Sequence, residues 1–516
     1  MSERRRLHHR HIFVGIGLLL CVVMAGVLFT TIGALRSRET ARTHVDDTVV
    51  RSICSGCHLF PEPETFPRSA WWKTIHNMVK MPGYAGGHIS TDAVVAWFEE
   101  RAPESLDLTQ SLPNIDSSSI KWRRSVPDTA YGGNFPFVSN VQFLDLIGDA
   151  RQELVVGDMA HGMVLLGKPY ESSYRLERLA MVANPAHATR VDLDRDGLQD
   201  VIVGNLGSFN PLDHEMGSVE WLRQIGPKKF EPVSLFDGLG RVADVRPVDL
   251  DADGDWDLVV GEFGWRESGR VFVLENVAHA GEQPQFAPHD LDARHGAIHV
   301  EIADLNHDGL PDFVTNLAQE HEMVVAYLNQ GGFVFEAKQL YRAPHPAWGS
   351  SGMQLVDLDG DDDLDILLTN GDMFDGPGLR PYHGIEWLEQ TGSLEFTPHR
   401  LVQMYGAHRA AAADLDGDGD LDIVACSFMP EEISIEGQQN GLIFNSLIWL
   451  EQTGAGEFVP HSLEQNRPQH ATLALGDYDL DGDTDIAVGN AFFRAGEATE
   501  RLDAVDLWEN LSVDLE

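Results

Sequence analysis

Two cysteines and a histidine stand close enough together in the stretch "ICSGCHLF" to do chemistry as a group. Cys54 and Cys57 are separated by two residues, and His58 follows directly. This Cys-x-x-Cys-His pattern is typical of haem c attachment, in which both thiols form thioethers to the porphyrin and the imidazole is the proximal iron ligand. The alternative is a disulfide or redox pair beside an uninvolved histidine. We predict one haem c on Cys54, Cys57 and His58.

Two methionines are candidates for the distal iron ligand. A thioether ligand raises the reduction potential of a haem, which suits electron transfer. Met78 follows Trp71 in a predicted helix, and Met81 is followed by Pro82. We favour Met78, keep Met81 as the alternative, and expect whichever of the two is not a ligand to pack in the core.

The segments around this motif have helical patterns. "PRSAWWKTIHNMVK" and "STDAVVAWFEERAP" each predict a helix, and the second begins at a Ser or Thr N-cap. The region resembles the cytochrome c domain, and "CSGCHLFPEPETF" with its later Trp and Met is similar to a pattern of exported bacterial cytochromes fused to repeat domains. The resemblance implies a small all-α cytochrome c domain over residues 51–108, between linkers at 36–50 and 109–118.

A carboxylate-rich motif recurs along the rest of the chain. Most copies have the form Asp-x-[Asp/Asn]-x-Asp-Gly-x-x-Asp, and an apolar run follows each copy at once. Side chains at positions 1, 3, 5 and 9 can converge on one centre, and all-oxygen donors select a hard cation such as Ca²⁺. An EF-hand needs a glutamate at position 12, but a predicted strand occupies that position here, so we predict β-strand calcium loops. The alternative is that Asp and Gly simply form good turns.

Six copies carry a complete set of candidate ligands. A seventh copy begins at Asp145 but has Ile147 and Glu153 at positions 3 and 9, so we exclude it and expect about six Ca²⁺. The predicted calcium ligands are Asp192, Asp194, Asp196 and Asp200; Asp249, Asp251, Asp253 and Asp257; Asp304, Asn306, Asp308 and Asp312; Asp357, Asp359, Asp361 and Asp365; Asp414, Asp416, Asp418 and Asp422; and Asp477, Asp479, Asp481 and Asp485.

The copies recur at intervals of roughly 50–60 residues, which predicts a solenoid, a propeller or an array. Each unit has a short strand before the acidic loop, a strand such as "DVIVGN" after it, and two more such as "SVEWLRQ" and "KFEPVSL". Four antiparallel strands per unit, seven times over, indicate a β-propeller. The repeats resemble the FG-GAP or VCBS family, also found in integrin heads, which implies an all-β seven-bladed propeller over residues 119–511.

The two ends of this domain are predicted to close the ring. The last unit supplies three strands of its own, and the strand-like stretch "SIKWRRSVP" before the first unit is unassigned. Proteins avoid leaving a strand edge unpaired. We therefore expect Ser119–Pro127 to form the outer strand of the last blade, beside Val505–Asn510.

Variable loops on the face opposite the acidic loops are the expected binding surface. Four histidines precede first strands and are expected near the mouth of the central channel on that face: His187, His299, His408 and His470. Polar lining of a solvated channel is one interpretation, and a ligand or metal site is the other. The tryptophans that recur on third strands are interpreted as blade packing and not as a quinone cofactor: Trp221, Trp387, Trp449 and Trp508.

The N-terminus predicts export. A cluster of arginines precedes a run from Ile12 to Leu35 that contains no Asp, Glu, Lys or Arg. This run is long enough to cross a bilayer core of ~30 Å as a helix. We predict a cytoplasmic basic tail at 1–11 and an uncleaved transmembrane signal anchor at 12–35, with the bulk of the chain on the periplasmic or extracellular side of the inner membrane. A cleaved signal peptide is the alternative.

Together these features predict a fold class of three parts: an N-terminal transmembrane helix, a small all-α cytochrome c domain and an all-β seven-bladed propeller. The net charge of −44, from 81 acidic and 37 basic residues, excludes nucleic acid as a partner. We expect a membrane-anchored, exported haem c electron-transfer protein with a redox partner protein, whose calcium-binding propeller docks a glycan or protein ligand.

Two other functions stay open. The first is an oxidoreductase with a substrate site on the propeller that passes electrons to the haem, and the second is a calcium-stiffened adhesion protein with the haem as a sensor. The sequence has no G-x-S-x-G, H-E-x-x-H, Rossmann glycine or phosphate-loop motif. Electron transfer is therefore favoured over turnover of a substrate, and the question of an enzyme stays open.

Overall fold

The computed structural model describes residues 45–56, 58–81, 84, 86–87, 89–108, 116–117, 120–129, 135–171, 174–279, 282–374, 378–492 and 502–512. The chain divides into two compact units, Met1–Leu106 and Asp107–Glu516. Within the described residues, every strand belongs to the second unit.

Three short helices form most of the described part of the first unit: α1 (Asp47–Cys54), α2 (Arg68–Met78) and α3 (Thr91–Arg101), with a 3₁₀ turn at Pro63–Thr65. The side chain of Asp46 caps α1 by accepting the Thr48 N–H at 2.9 Å. Helix α3 ends at Arg101, and its C-cap Ala102 has an extended backbone because the next residue is a proline.

Trp71 lies at the centre of the core of this first unit. Its side chain is fully buried, and its ring stacks on that of Phe98 with 4.0 Å between the ring centroids. Its indole N–H donates to the carbonyl of Pro63 at 3.0 Å. One tryptophan therefore joins α2, α3 and the 3₁₀ turn.

The predicted three-part fold class is wrong. The structure is a seven-bladed β-propeller, and its described residues contain only four α-helices, none of them long and apolar enough to cross a membrane. Residues 12–35, on which the transmembrane prediction depended, lie outside the described residues. The helical patterns did predict helices, but three helices of 8 to 11 residues do not establish a separate all-α cytochrome c domain.

Seven sheets of antiparallel strands form the blades of the propeller. The first strands of the blades contact one another around the centre of the ring. These first strands are β4 (Val138–Leu144), β8 (Pro185–Val191), β12 (Val242–Val248), β16 (Ala297–Ala303), β20 (Ser350–Val356), β24 (Ala407–Ala413) and β28 (His470–Gly476). The second strands are β5 (Glu153–Asp158), β9 (Asp200–Asn205), β13 (Asp257–Glu262), β17 (Asp312–Leu317), β21 (Asp365–Asn370), β25 (Asp422–Ser427) and β29 (Asp485–Asn490).

The third and fourth strands complete each blade toward the outside. The third strands are β6 (Met163–Gly167), β10 (Gly217–Gly226), β14 (Arg270–Asn276), β18 (Met323–Asn329), β22 (Gly384–Gly392), β26 (Asn445–Gly454) and β30 (Val505–Asn510). The fourth strands are β7 (Arg175–Met181), β11 (Lys229–Leu239), β15 (Phe286–Asp292), β19 (Phe335–Arg342), β23 (Glu395–Gln403), β27 (Glu457–Gln465) and, in the last blade, β2 (Trp122–Ser125). A short helix, α4 (Glu431–Gln439), follows β25.

Burial explains why the strands have different compositions. All six residues of β9 are buried, because this strand packs against neighbouring blades on both faces, and its sequence "DVIVGN" is accordingly apolar in the middle. Strand β11 lies on the outside and is mostly exposed. Its sequence "KFEPVSL" is accordingly mixed. The apolar runs that identify the repeats are therefore the second strands.

The predicted ring closure is confirmed. Strand β2 pairs antiparallel with β30, with Trp122 opposite Asn510 and Ser125 opposite Leu507. The guanidinium of Arg124 lies 2.7 Å from the fully buried carboxylate of Asp506. The outer strand of the last blade therefore comes from the segment that precedes the first blade.

The same segment also contacts the two neighbouring blades, which the sequence did not predict. Strand β1 (Asp116–Ser117) pairs in parallel with β27, and strand β3 (Asp128–Thr129) pairs in parallel with β7. The segment therefore bridges blades six, seven and one, and we call residues 116–129 the closing segment.

Candidate functional site

The haem attachment motif lies at the end of α1. Cys54 is the last residue of that helix, and burial raises the pKa of its thiol to about 11. The Nδ1 of His58 lies 2.6 Å from the carbonyl of Leu59, to which it donates in the tautomer that keeps Nε2 unprotonated. Metal-ligating histidines commonly bond a carbonyl in this way. Cys57 lies outside the described residues, so Cys54 and His58 fit the proximal part of a haem c site and the full motif stays a prediction.

The two candidate distal ligands differ in exposure. Met78 is the last residue of α2 and is half-buried, whereas the side chain of Met81 is 38% exposed. Met81 is therefore not a core packing residue. The choice between the two as the iron ligand stays a prediction.

The acidic loops join first strands to second strands, as predicted. In the loop at Asp192, one carboxylate oxygen from each of Asp192, Asp194 and Asp200 lies within 4.8 Å of the others. The Oδ1 atoms of Asp192 and Asp194 are shielded from solvent and have no hydrogen-bond partner among the described residues. Unpartnered buried oxygens that converge in this way fit the ligand set of a hard cation.

Three other loops have the same convergence of three carboxylates within 4.8 Å: Asp249, Asp251 and Asp257; Asp357, Asp359 and Asp361; and Asp414, Asp416 and Asp422. The Oδ1 atoms of Asp249 and Asp359 are again buried without a hydrogen-bond partner among the described residues. In the loop at Asp304, the Asn306 amide instead donates to Asp308 at 3.0 Å, which turns its nitrogen toward that carboxylate.

The aspartate at position 9 has a second role that sequence reasoning missed. Both oxygens of Asp200 accept backbone N–H groups, from Leu193 at 3.1 Å and from Gln224 at 2.7 Å. The other five loops repeat both bonds, at Asp257, Asp312, Asp365, Asp422 and Asp485. This residue therefore ties the loop to the third strand of its blade whether or not a cation is bound.

Burial of these carboxylates is costly without a cation. Burial raises the pKa of Asp257 to about 7 and that of Asp485 to about 8. The degenerate first loop keeps only the structural role, because Glu153 accepts the Leu146 N–H at 3.0 Å in place of the aspartate. The copy at Asp145 therefore has the structural hydrogen bond of position 9 but lacks the complete set of calcium ligands.

Polar side chains of third strands connect the acidic loops of adjacent blades. The amide of Gln224 donates to the carbonyl of Leu146 at 3.1 Å, and that of Asn329 donates to Leu250 at 2.9 Å. Gln452 and Asn510 make the same bond to the preceding blade. Each of these hydrogen bonds therefore fixes the acidic loop of one blade to the third strand of the next blade.

A cavity of about 650 Å³ opens at the centre of the propeller, on the face opposite the acidic loops. Six aromatic side chains from five connections line it: Phe137, Phe209, Phe263, Trp265, Phe374 and Phe428. Three of the four predicted channel histidines, His187, His299 and His408, also line it. The expectation that the variable loops and the histidines share one mouth is confirmed for these three.

The fourth histidine has a different place. His470 is fully buried, with Nδ1 2.6 Å from the Asn490 side chain and Nε2 2.5 Å from Glu464. It joins the last blade to the preceding one through Glu464 and is not a channel residue. Its position before a first strand could not reveal this, because Glu464 comes from the preceding blade.

The polar wall of the cavity contains a buried charged network. The Nδ1 of His187 lies 2.9 Å from Asp244, which also pairs with Arg246 at 3.1 Å. Burial alone would raise the pKa of Asp244, but Arg246 and His187 hold it well below its usual value. Burial lowers the pKa of His187 despite the neighbouring carboxylate.

Two arginines of the cavity were missed by sequence reasoning. Arg409 lies 3.3 Å from the ring of His299, and burial lowers its pKa. Arg241 lies 5.1 Å from the ring centroid of Phe263, and burial lowers its pKa to about 10. The Nε of Arg241 is buried without a hydrogen-bond partner among the described residues. A signal was available for Arg409, which is the third residue of β24 just as His187 and His299 are the third residues of β8 and β16; Arg241 directly precedes β12.

Comparisons with known proteins support the repeat. Residues 192–260 match the FG-GAP-like repeat family. No curated protein matches. Among solved structures, virginiamycin B lyase from Staphylococcus aureus is 10% identical with a TM-score of 0.46, covering 75% of this chain and 99% of its own. BBS1N in complex with ARL6DN is 12% identical with a TM-score of 0.44, covering 75% of this chain and 96% of its own. Likeness at this level is not evidence of shared function. The chain contains an FG-GAP-like repeat within a seven-bladed β-propeller.

Proposed function

We propose that this protein is an exported haem c electron-transfer protein whose calcium-binding propeller holds a ligand at its central cavity. A propeller with FG-GAP-like repeats can dock partners or ligands. The observation that carries the proposal is the cavity of about 650 Å³, which combines six aromatic rings with an arginine that lacks a carboxylate partner among the described residues.

The lining selects a class of ligand. Arg241 stays protonated at neutral pH even though burial lowers its pKa to about 10. Its charge sits beside Phe263 and not beside an acidic side chain, so an anionic group on a ligand would offset its desolvation. The aromatic rings offer flat apolar contact area. An organic anion with an apolar, preferably aromatic, body fits both features.

Calcium is proposed as the resident cation of the acidic loops. The unpartnered Oδ1 atoms of Asp192, Asp194, Asp249 and Asp359 support it, because their ordinary partner would be a metal. A bound cation would offset the mutual repulsion of the carboxylates. It would also stiffen loops that connect neighbouring blades.

Haem c is proposed on the motif of α1. The bond from His58 Nδ1 to Leu59 supports it, since this bond orients the ring and reserves Nε2 for a metal. A haem with a histidine ligand supplies one-electron transfer when it is bound. Cys54 and Cys57 would hold the haem covalently, and His58 would be its oriented ligand. The core around Trp71 would exclude water.

The ligand proposal can be tested with two probes of the same shape. Isothermal titration of the full chain with 2-naphthoate and with 2-naphthylmethanol compares an anion with a neutral analogue. A charge-assisted bond to Arg241 is worth about 1.5–3 kcal/mol, so the anion should bind at least about tenfold more tightly. Arg241→Met should remove this preference.

A neighbouring arginine provides the matched control. Arg266 is exposed and lies 5.5 Å from the ring of Trp265, so Arg266→Met should leave the preference for the anion intact. Equal binding of the two probes to the parent chain, or an unchanged preference in Arg241→Met, would contradict the proposal.

A second candidate function is an oxidoreductase, and the His187–Asp244 pair favours it. The Nδ1 of His187 lies 2.9 Å from Asp244 without hydrogen-bond geometry. Its Nε2 lies 3.3 Å from the Gln142 amide, from which it accepts in the tautomer with Nδ1 protonated. A neutral imidazole held by a carboxylate can take a proton from a substrate as it is oxidised. An alcohol oxidised to an aldehyde gives up two protons and two electrons, so the second proton would go to solvent and the electrons would pass singly to the haems of two chains.

The two functions differ in one measurement. An oxidoreductase reduces its own haem when a substrate is added without a reductase, and His187→Gln slows that reduction. An electron-transfer protein with a ligand-binding cavity shows no such reduction. Absorbance of the haem after addition of aromatic alcohols and aldehydes distinguishes them.

A further inference from the structure

Two histidines and a glutamate converge on the face of the propeller that carries the cavity mouth. His295 lies in the connection from β15 to β16, and Glu320 and His321 lie in the connection from β17 to β18. One ligand atom from each residue lies within 4.8 Å of the other two, and the closest pair, His295 Nε2 and Glu320 Oε2, is 2.8 Å apart. The acidic loops lie on the opposite face, so this cluster is separate from them.

The cluster is short of hydrogen-bond partners. The Nε2 of His321 is shielded from solvent and has no hydrogen-bond partner among the described residues. The Nε2 of His295 is equally shielded and has only the Glu320 carboxylate beside it. Buried polar nitrogens normally have partners. Both nitrogens are therefore available as ligands of a bound cation, together with the Glu320 carboxylate.

The backbone holds this arrangement in place. Gln319 and Glu322 flank the two ligand residues and both adopt positive φ angles, +58° and +43°. Glu322 is buried, and its carboxylate accepts the N–H groups of Gly349 at 2.9 Å and Ser350 at 3.0 Å in the next blade. The connection is therefore anchored on the residue that follows His321.

A glycine makes room for the third ligand residue. Gly269 has a φ of +118°, and a Cβ there would lie 2.6 Å from the Cβ of His295. Any larger residue at this position would displace His295 from the cluster. The nearby cation Arg294 is compensated by Asp292, which its Nε contacts at 3.0 Å.

We propose that His295, Glu320 and His321 bind a divalent transition metal, for which zinc fits best. Two imidazoles and a carboxylate are the donor set of zinc and its neighbours, whereas Ca²⁺ prefers oxygen alone. Three protein ligands leave a fourth position open, as in catalytic and not in structural zinc sites. Gln319, next to Glu320, lines the central cavity, so the open position lies close to that mouth.

The test is a zinc titration of the full chain, stripped of metal with a chelator and then saturated with Ca²⁺ to fill the acidic loops. The N-terminal histidines His8, His9 and His11 could also bind zinc, so they are replaced by alanine in all samples. We expect one zinc per chain. His321→Ala and Glu320→Gln should each weaken it at least about tenfold, because even outer partners of metal ligands contribute 10–100-fold.

A second histidine–glutamate pair provides the matched control. His399 Nε2 lies 2.6 Å from Glu389, as close as the proposed pair, and Glu389 is the ion-pair partner that the structure gives for it. His399→Ala should leave zinc binding unchanged. Melting curves in Ca²⁺ establish that each variant is folded, and anomalous scattering at the zinc edge should give a peak between the three side chains.

Two results would overturn the proposal. One is a folded His321→Ala variant that binds zinc as tightly as the parent. The other is an equal loss in His399→Ala. Neither result concerns the ligand preference of Arg241, so failure here leaves the proposed function of the cavity unaffected.

Discussion

Asp200 gives the sharpest test of the double role assigned to position 9 of the acidic loops. Its buried carboxylate accepts one N–H on each oxygen, from Leu193 and Gln224. Asp200→Asn keeps the shape but replaces one oxygen with an NH₂ group. That group faces an N–H and cannot accept from it, so one buried N–H loses its partner.

The expected cost follows from this single mismatch. A buried donor left unpaired costs about 1–3 kcal/mol. Burial already raises the pKa of Asp200, so its two bonds recover only part of the cost of burying the charge, and we expect the lower half of that range. The decisive condition is a calcium-free buffer with excess chelator, in which any loss of stability is independent of the metal.

Asp196 in the same loop provides the control. Its carboxylate is 34% exposed, accepts the solvent-exposed N–H of Leu198 at 2.9 Å and lies 3.6 Å from the Arg223 guanidinium, an exposed ion pair that contributes little to stability. Asp196→Asn should therefore leave the melting temperature unchanged in chelator and lower it in Ca²⁺, whereas Asp200→Asn should lower it in both. If Asp200→Asn melts like the parent in chelator, the structural role assigned to position 9 is wrong.

Three further predictions concern calcium, haem and ring closure. Chelation should lower the melting temperature clearly, because each site contributes about 2.7 kcal/mol at a hundredfold excess over Kd; an unchanged melt would count against calcium. The purified chain should keep its haem through denaturing electrophoresis, and a Cys57→Ser variant with a normal two-thioether haem spectrum would contradict the assignment. Arg124→Ala removes one partner of buried Asp506 and should cost about 1 kcal/mol in urea unfolding. The exposed neighbour Arg123 should cost less when replaced, and the reverse order would refute the account of the closing segment.

The architecture of the propeller was predictable because its signals are local and repeated. An acidic loop followed by an apolar strand recurs in six copies, and a missing fourth strand in the last unit identified its replacement before the first. The parallel strands β1 and β3 escaped prediction because two residues each are too short to show a pattern.

Candidate site residues were predictable only where they are close in sequence, as in the acidic loops, or recur at one position of the repeat, as do His187, His299 and His408. The acidic loops are contiguous, but the cavity combines Arg241, His187 and Phe428 from three separate blades. The histidine–glutamate cluster likewise joins two connections. The role of Asp200 was missed because its partners are backbone N–H groups, which leave no trace in the sequence.

The fold class was wrong in the N-terminal part, where the cytochrome c domain rested on resemblance and the haem on the Cys-x-x-Cys-His pattern. Its helices formed as their patterns indicated, yet the predicted three-part fold class did not follow from them. Helix-forming patterns specify local structure and burial of residues such as Trp71. They do not specify which cofactor a group of helices serves.

Because the closing segment pairs with the last strand of the propeller, β2 is synthesised long before its partner β30. Arg123 in β2 and its partner Glu509 in β30 are separated by 386 residues, so the ribosome needs roughly 20–80 s between them at 5–20 residues per second. Throughout this interval β2 is a strand without its partner, and such edges tend to pair with other chains. Its sequence "WRRS" is short and carries two positive charges, which oppose that pairing. We therefore expect the arginines of β2 to disfavour pairing of this strand with other chains until the last blade has been synthesised.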